Sequence, residues 1–304
     1  MEDTTPTAAA TRDANAARSD APVLVSIVIA ARNVAAVIDE QLGAIAAQDY
    51  RGAFEVVVCD NGSSDATAAR ASAWRGRLDV RVVDAPERAQ LSYARNTGAA
   101  AARGDLLVFV DADDRVAPGW LSALVGAAAD ADLVGGRLDA AELNDPDVAR
   151  WRPPHASGPS VAGNFLPFAP GGNLAIWSAV FAAVPFSTDY ERQQDIELSW
   201  RAQLAGYRLG FARDAVVHYR HRDTLRGLAR QAYGTGVAAA HLYRDFRARG
   251  MPPASIGAAL RTYLWLTLRV FDLARVEHRG RWIRLAASVT GRAAGSLKYR
   301  VLYL

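Results

Sequence analysis

The sequence has a single cysteine, Cys59, among its 304 residues, which excludes an intrachain disulfide. Because Cys59 lies in the apolar run FEVVVCD, we expect a buried, unreactive thiol and a reducing compartment, the cytoplasm. Lysine is also nearly absent, since Lys298 is the only one and arginine supplies the other positive side chains. Because no intrachain disulfide can form, the fold must depend on a hydrophobic core, and an apolar content of 51% is enough to build one.

The chain also lacks an apolar run that could cross a membrane as one helix. Residues 156–188 carry no charge, but prolines and glycines interrupt them, so we predict an ordered loop region over a pocket. Arg261 and Arg269 interrupt the apolar stretch around TYLWLTLRVF. Residues 1–22 have no apolar segment like that of a signal peptide, and their composition predicts a disordered tail.

Apolar segments rich in Val and Ile alternate with alanine-rich segments of helical period, which predicts repeated βα units. The predicted strands are 23–30, 54–60, 79–85, 106–110 and 131–138. The predicted helices are 34–47, 65–74, 91–102 and 118–129. The pattern indicates an α/β, Rossmann-like fold with a mostly parallel central sheet flanked by helices, and a helical region at 222–304.

Polar clusters follow three of the predicted strands: ARN at 31–33, DNGSSD at 60–65 and DADD at 111–114. The carboxyl ends of parallel strands converge on one edge of the sheet, where ligands of such folds bind. Any one cluster is explained equally well by a turn or a helix N-cap. Three clusters at the same edge favour a binding site.

The segment LLVFVDADD places three carboxylates directly after an apolar strand. In an extended chain Asp111 and Asp113 point to the same side, with the small Ala112 between them. Two carboxylates suit Mg²⁺ or Mn²⁺, whose remaining positions are filled by water and substrate phosphates. A second DAD, at 130–132, follows a helical segment and lacks this context. The first copy therefore predicts a divalent metal with a diphosphate as its partner.

Five motifs occur in the order and approximate spacing of family 2 glycosyltransferases: VSIVIAARN, VVVCDNGSSDAT, SYARNTGAAAARGDLLVFVDADD, GGNLAIWSAVF and QQDIELSWRAQLAGYRLGF. Over residues 23–221 the chain resembles this family. The resemblance implies a GT-A catalytic domain that transfers a sugar from a nucleotide sugar to an acceptor hydroxyl with inversion, using Mg²⁺ or Mn²⁺. Because the arginine-tryptophan pair of processive synthases is missing, we expect transfer of one sugar per encounter.

The resemblance also implies roles for individual residues. The residues expected at the donor are Ala30, Arg32, Asp60, Arg95, Asn96, Asp111 and Ala112. The expected metal ligands are Asp111, Asp113 and His218, with His221 as the alternative histidine. The expected catalytic base is Asp195. The residues expected at the acceptor are Gly172, Asn173, Gln194 and Tyr233.

Two of these roles have simpler explanations from the residues alone. The helix macrodipole favours an acidic residue near the N-terminus, which would explain Asp195 without catalysis. A single histidine such as His218 is more often structural. The chain departs from the family pattern at Ala30 and Arg32, and at Asn61, where a second aspartate is frequent. These departures leave UDP, dTDP and GDP donors open.

The C-terminal part is basic and amphipathic. Residues 254–304 carry eight arginines and one lysine against two acidic residues, and apolar residues recur at helical spacing: Ile256, Leu260, Leu264, Leu268 and Phe271. Two interpretations remain open. These helices either close the catalytic domain or rest on anionic lipid at the inner face of the membrane and present a lipid-linked acceptor. No motif supports nucleic-acid binding.

Three other functions can be compared with this interpretation. Haloacid-dehalogenase-like phosphatases also place DxD after an apolar strand, but usually near the N-terminus. Nucleotidyltransferases have a related fold, but this chain has no glycine-rich phosphate loop near residue 30. A non-catalytic protein that binds nucleotide sugars or carbohydrate is also consistent with Asn61 and Gln194.

Overall fold

The computed structural model describes residues 21–152 and 158–304. The predicted disordered tail, 1–22, lies outside the described residues except for its last two positions. In the described part of the chain the strands are β1 (Leu24–Ala31), β2 (Ala53–Asp60), β3 (Val80–Asp84), β4 (Leu106–Asp111), β5 (Arg115–Val116), β6 (Leu133–Asp139), β7 (Ser160–Val161), β8 (Pro167–Phe168), β9 (Asn173–Trp177) and β10 (Leu209–His218).

The α-helices of the same residues are α1 (Ile38–Ala46), α2 (Thr67–Ser72), α3 (Leu91–Ala101), α4 (Trp120–Ala128), α5 (Pro146–Arg150), α6 (Ser178–Ala183), α7 (Gln194–Leu204), α8 (Leu225–Phe246), α9 (Ile256–Leu268) and α10 (Val276–Tyr299). Short 3₁₀ helices follow α2, α8 and α9, at Ala73–Gly76, Arg247–Arg249 and Val270–Ala274. Every helix in this part of the chain is too short or too polar to cross a bilayer.

The chain divides into two units. The first runs to Asp139 and resumes over Ala156–Ser160 and Pro167–Tyr219. The second contains Ala140–His155, Val161–Leu166 and Arg220–Leu304. The sequence-based boundary after residue 221 did not anticipate that two short segments before it belong to the second unit.

The first unit is built on an eight-stranded sheet with the order β3-β2-β1-β4-β9-β6-β10-β5. β1 pairs in parallel with β2 and β4, β2 pairs in parallel with β3, and β6 pairs in parallel with β10. β1, β2 and β4 are rich in Val and Ile and almost wholly buried, as expected for strands covered on both faces. The predicted parallel sheet flanked by helices is therefore present in this half of the sheet.

The strand β9 lies inside the segment 156–188, which the sequence analysis assigned to an ordered loop region. All five residues of β9 are buried, and the strand runs antiparallel between β4 and β6. An antiparallel strand needs no helical crossover of its own. For this reason the alternation of strands and helices in the sequence does not reveal it.

In the second unit α8 and α10 pack with their backbones in close contact. A Cβ atom at Gly236 would overlap the carbonyl oxygen of Ser288, and one at Gly291 would overlap that of Tyr233. Only glycine allows this approach. Most of the basic segment 281–304 is therefore a packed helix rather than a free surface.

Candidate functional site

Four strands of the sheet end in register at one edge. Ala31 of β1 is paired with Asp60 of β2, and Ala30 is paired with Asp111 of β4. Asp60 is paired in turn with Asp84 of β3. The structure thus brings the ends of these strands together at one edge of the sheet, as the three polar clusters predict.

The DNGSSD segment forms a hydrogen-bonded turn at this edge. The backbone N–H of Ser63 donates to Oδ1 of the buried Asp60 over 3.1 Å, and the Ser63 hydroxyl donates to the same atom. The Asn61 amide donates to the carbonyl oxygens of Ala85 and Arg88 over 2.6 and 2.7 Å. Asn61 therefore holds the 85–88 loop, while Arg32, at the end of β1, is exposed.

A buried arginine binds the first carboxylate of the acidic segment. Arg95, on α3, is 3% exposed, and its Nη2 donates to Asp111 Oδ1 over 2.7 Å. Its guanidinium carbon lies 5.2 Å from the centre of the Phe186 ring. Phe186 packs against Phe109 and Phe181, with ring centres 5.2 and 5.7 Å away. An aromatic cluster in the core therefore supports the guanidinium.

Two consecutive glycines let the chain pass between the charged side chains. A Cβ atom at Gly171 would lie 2.5 Å from Arg95 Nη1 and 3.1 Å from the Cβ of Asp195. A Cβ atom at Gly172 would lie 2.7 Å from Asp111 Oδ2. Residues with side chains would therefore collide with the site. Gly172 is a predicted site residue, whereas Gly171 was missed although it belongs to the same pair.

Asp195 lies at the start of α7, beside this glycine pair. Its Oδ2 accepts a hydrogen bond from the Gly171 N–H over 2.9 Å, and its Oδ1 accepts one from the Ile196 N–H over 3.0 Å. Burial raises the pKa of the Asp195 carboxyl above its ordinary value, although these bonds and the nearby Arg95 oppose the shift. A carboxylate with a raised pKa is a better proton acceptor.

The acidic segment is a turn, not the extended chain that the sequence analysis assumed. Residues 112 and 113 form the turn between β4 and β5. The Ala112 methyl group packs in the hydrophobic core and Asp114 is 1% exposed, whereas Asp113 is partly exposed. The alternation of side chains along a strand therefore does not apply to Asp111 and Asp113. Because the Ala112 side chain lies in the core, a donor-binding role for this residue would have to use its backbone, and that role stays a prediction.

Gln41 of α1 is hydrogen-bonded to both sides of this turn. It was not among the site residues predicted from the sequence. Its Nε2 donates to the Asp111 carbonyl oxygen over 2.8 Å, and its Oε1 accepts from the Val116 N–H over 3.0 Å. Gln41 is fully buried. In the sequence, Gln41 could have been found as a polar residue on the apolar face of the helix IDEQLGAIA.

The oxygen atoms of this turn suit a hard divalent cation. Asp111 Oδ2 faces the space that a side chain at position 172 would fill, and Asp113 is partly exposed. Within residues 21–152 and 158–304 no three acidic, His or Cys side chains cluster as a metal site. One or two carboxylates are nevertheless enough when substrate phosphates complete the coordination. The predicted ligand His218 ends β10, where it is paired with Arg115, just after the acidic turn.

Asn173 is corrected as an acceptor-binding residue, because it is completely buried. Its Oδ1 accepts from the Trp120 indole N–H, and its Nδ2 donates to the carbonyl oxygens of Arg137 and Ala215, all over 2.9 Å. These bonds use its amide inside the core. It therefore joins β9 to its neighbours and cannot contact a substrate.

The remaining predicted residues have different surroundings. The Asn96 amide donates to the Phe186 carbonyl oxygen over 2.8 Å and accepts from the Phe186 N–H over 3.2 Å, so it fixes the segment beneath Arg95. Gln194 is 5% exposed, at the start of α7. Tyr233 belongs to the second unit, where it lines an open groove of about 500 Å³ with Arg230 and Trp282.

Comparison with known proteins identifies relatives of part of the chain. It is 31% identical over 196 residues to the pre-mycofactocin glycosyltransferase of Mycobacterium tuberculosis, covering 60% of this chain and 41% of that protein. It is 32% identical over 205 residues to glycosyltransferase AglE of Haloferax volcanii, covering 63% of this chain and 65% of that protein. The chain thus spans between about two fifths and two thirds of the length of these relatives.

Solved structures resemble a larger part of the chain. The mannosyltransferase PcManGT from Pyrobaculum calidifontis, in complex with GDP-Man and Mn²⁺, matches with a TM-score of 0.59 and 21% identity over 90% of this chain and 87% of that one. TarS 1-349 of S. aureus, in complex with UDP-GlcNAc, matches with a TM-score of 0.54 and 17% identity over 92% of this chain and 93% of that one.

These likenesses confirm the predicted GT-A fold. The sequence profile described as Glycosyl transferase family 2 matches residues 26–184, which is more than half of the chain. The chain therefore belongs to glycosyl transferase family 2.

Proposed function

We propose that this chain transfers a sugar from a nucleoside diphosphate sugar to an acceptor hydroxyl, with inversion at the anomeric carbon. The observation that carries the proposal is the arrangement around the glycine pair, where Gly171 borders Arg95 and Asp195 and Gly172 borders Asp111. Asp111, which is proposed to act at the leaving diphosphate, and Asp195, which is proposed to act on the attacking hydroxyl, thus both border the Gly171–Gly172 segment. Membership of family 2 supports the same assignment.

The chemistry is a single displacement. The acceptor oxygen forms a bond to the anomeric carbon while the bond from that carbon to the diphosphate oxygen breaks, and Asp195 takes the hydroxyl proton. One carboxylate is sufficient, because no covalent sugar intermediate is formed. The raised pKa of Asp195 is consistent with this role.

The leaving diphosphate needs positive charge near the acidic turn. Mg²⁺ or Mn²⁺ held by Asp111 and Asp113, with His218 as a further candidate ligand, would neutralise the charge that develops on the diphosphate. Arg95 keeps the Asp111 carboxylate in one orientation, through the bond to Oδ1. The other oxygen, Oδ2, remains on the side of Gly172.

The nucleoside is proposed to bind at the ends of β1 and β2. Asp60 is held by Ser63 at the end of β2, and Arg32 is exposed at the end of β1. The TarS structure contains UDP-GlcNAc and the PcManGT structure contains GDP-Man. UDP and GDP sugars are therefore candidates for this chain, and Asn61, in place of the frequent aspartate, leaves dTDP sugars open as well. The acceptor is proposed to be a glycan or a lipid-linked sugar, with contact to the membrane through residues 254–304.

A thermal-shift screen of the full chain tests the proposal. UDP, dTDP and GDP sugars are compared in the presence of Mn²⁺, of Mg²⁺ and of EDTA. We expect one nucleotide to raise the melting temperature only when a cation is present, because ligand binding stabilises the folded state. Turnover of p-nitrophenyl phosphate without stabilisation by any nucleotide sugar would favour the phosphatase alternative. Stabilisation without transfer or donor hydrolysis would favour the non-catalytic one.

A further inference from the structure

The helix α9 exposes an apolar face. Ile256, Leu260, Leu264 and Leu268 follow one another at intervals of four residues and are between 59% and 68% exposed. These positions lie within about one third of the helix circumference. Ala259 and Leu266 are the buried residues of the same helix. The face turned to solvent therefore carries four large aliphatic side chains.

The apolar surface continues beyond the end of α9. Val270, Phe271 and Leu273 of the following 3₁₀ helix are 42%, 83% and 40% exposed, and Val276 is 51% exposed. A single exposed leucine is ordinary, whereas a continuous exposed apolar surface marks an interaction site. We name Leu260, Leu264, Leu268 and Phe271 the apolar ridge.

The ridge is held in place from its packed side. The Trp282 indole N–H of α10 donates to the carbonyl oxygen of Leu266 over 2.9 Å. The Arg281 guanidinium carbon lies 5.2 Å from the centre of the Trp265 ring. The same α10 packs tightly on α8, so the ridge stands on a firm support within the second unit.

Basic side chains border the ridge. Arg261 is exposed and follows Leu260 directly, and Arg269 follows Leu268. Asp272 is 7% exposed, and its Oδ2 lies 3.8 Å from Arg269 Nη1, whereas the side chain of Glu277, beyond the ridge, is 68% exposed. An exposed apolar helix face edged by arginines is complementary to an anionic lipid surface, where the apolar face enters the acyl boundary and cations meet phosphates.

We propose that the apolar ridge docks this chain on the surface of a membrane that contains anionic phospholipid. This inference rests on the proposed function, because docking would bring a glycosyltransferase to an acceptor that is carried by a lipid. It also selects α9 and its 3₁₀ extension within residues 254–304. The packed helix α10 contributes support rather than contact.

Sedimentation of the full chain with vesicles tests the proposal. Vesicles of phosphatidylcholine with phosphatidylglycerol are compared with vesicles of phosphatidylcholine alone. We expect binding to the anionic vesicles and a roughly tenfold loss of binding in Leu264→Gln/Leu268→Gln, because the removed apolar groups no longer enter the acyl boundary. Arg261→Gln should weaken binding to the anionic vesicles by about fivefold and leave binding to the neutral ones unchanged.

Leu297→Gln is the matched control, because Leu297 is an 82% exposed leucine on α10 outside the ridge. It should bind vesicles like the unaltered chain. Equal loss in this control, or no binding of the unaltered chain to anionic vesicles, would overturn the proposal. A dimer in light scattering that the ridge variant converts to a monomer, without vesicle binding, would assign the ridge to a second copy of the chain.

The thermal shift by nucleotide sugar without vesicles separates the two proposals. If the ridge variant keeps that shift and vesicle binding is absent in all variants, docking fails and the proposed function stands. If vesicle binding follows the ridge but no nucleotide sugar stabilises the chain, the proposed function fails and docking stands.

Discussion

Arg95 Nη2 lies 2.7 Å from Asp111 Oδ1, so a buried guanidinium on α3 binds the first carboxylate of the acidic turn. The pair is asymmetric, since Arg95 is 3% exposed and the Asp111 side chain is 27% exposed. The arginine therefore holds the carboxylate from inside the protein and leaves its outer side accessible. Asp111 therefore combines an internal ion pair with its proposed role as a metal ligand, whereas Asp113 is proposed only as a metal ligand.

The substitution Asp113→Asn should abolish the stabilisation that a cation and nucleotide sugar give together, because a neutral amide is a weaker ligand for a hard cation. We expect the apparent donor affinity to fall by at least about tenfold. The melting temperature without ligand should change little. Asp130→Asn is the matched control, since Asp130 is exposed in the other DAD of the chain. Equal loss in both variants would contradict the proposed metal site.

The substitution Asp195→Asn should leave donor binding intact and lower the rate of transfer by about 10²-fold or more, because no proton acceptor remains. In the unaltered chain the rate should fall as the pH decreases through the raised pKa of Asp195, above its ordinary value of 3.8. The same shift means that protonation of Asp195 favours the folded state, a contribution that is lost as the pH rises through the folded pKa. Single-turnover transfer measured as a function of pH shows this fall in rate. If the same fall at low pH persists in Asp195→Asn, Asp195 is not the catalytic base.

The substitution Gly171→Ala should damage the site without a change of charge. The added methyl group would lie 2.5 Å from Arg95 Nη1, so the guanidinium or the loop must move. We expect a loss of about 1–3 kcal/mol in the free energy of unfolding and a marked loss of donor binding. Gly126→Ala is the control, because a Cβ atom there meets nothing within 4 Å and alanine favours the helix α4. Urea unfolding of both variants checks the difference, and unchanged donor affinity in Gly171→Ala would contradict the close approach.

The substitution Glu55→Gln tests stability away from the site. Burial raises the pKa of the Glu55 carboxyl, but hydrogen bonds from Ser26, Arg103 and Arg81 outweigh it and lower the pKa to about 2. The ionised group therefore stabilises the fold above its ordinary pKa of 4.5, and this contribution is lost as the pH falls through 2. We expect the variant to lose about 3 kcal/mol at pH 7 and less at pH 3. Glu191→Gln, at an exposed position, should lose almost nothing in the same urea titration.

The parallel half of the sheet could be predicted to within one or two residues at most boundaries. The apolar segment 106–110, for example, becomes β4 (Leu106–Asp111), because a continuous apolar run between polar residues has few alternatives. The antiparallel strand β9 could not be predicted in this way. Its sequence neighbours are glycines and prolines, and its partners β4 and β6 are distant in sequence.

The candidate site shows the same division. Asp60 and Asp111 follow apolar strands, so their meeting at one edge follows from the topology of parallel sheets. Gln41 and Asn173 are polar residues whose partners lie far away in sequence, so neither periodicity nor spacing reveals whether they are buried. Asn173 was expected at the acceptor only because its motif, GGNLAIWSAVF, resembles that of family 2 glycosyltransferases. Its complete burial shows that the same chemistry can join strands instead.

The aromatic cluster beneath Arg95 connects the acidic turn with the packing of the core. Phe186 touches the guanidinium on one side and its two phenylalanine partners on the other, while Asn96 secures its backbone. Because Phe181 is buried against Phe186, we expect a change of ring size at Phe181 to shift Phe186 and the arginine that binds Asp111. Substitutions in the buried aromatic cluster, at positions away from the acidic turn, can therefore alter the orientation of the Asp111 carboxylate.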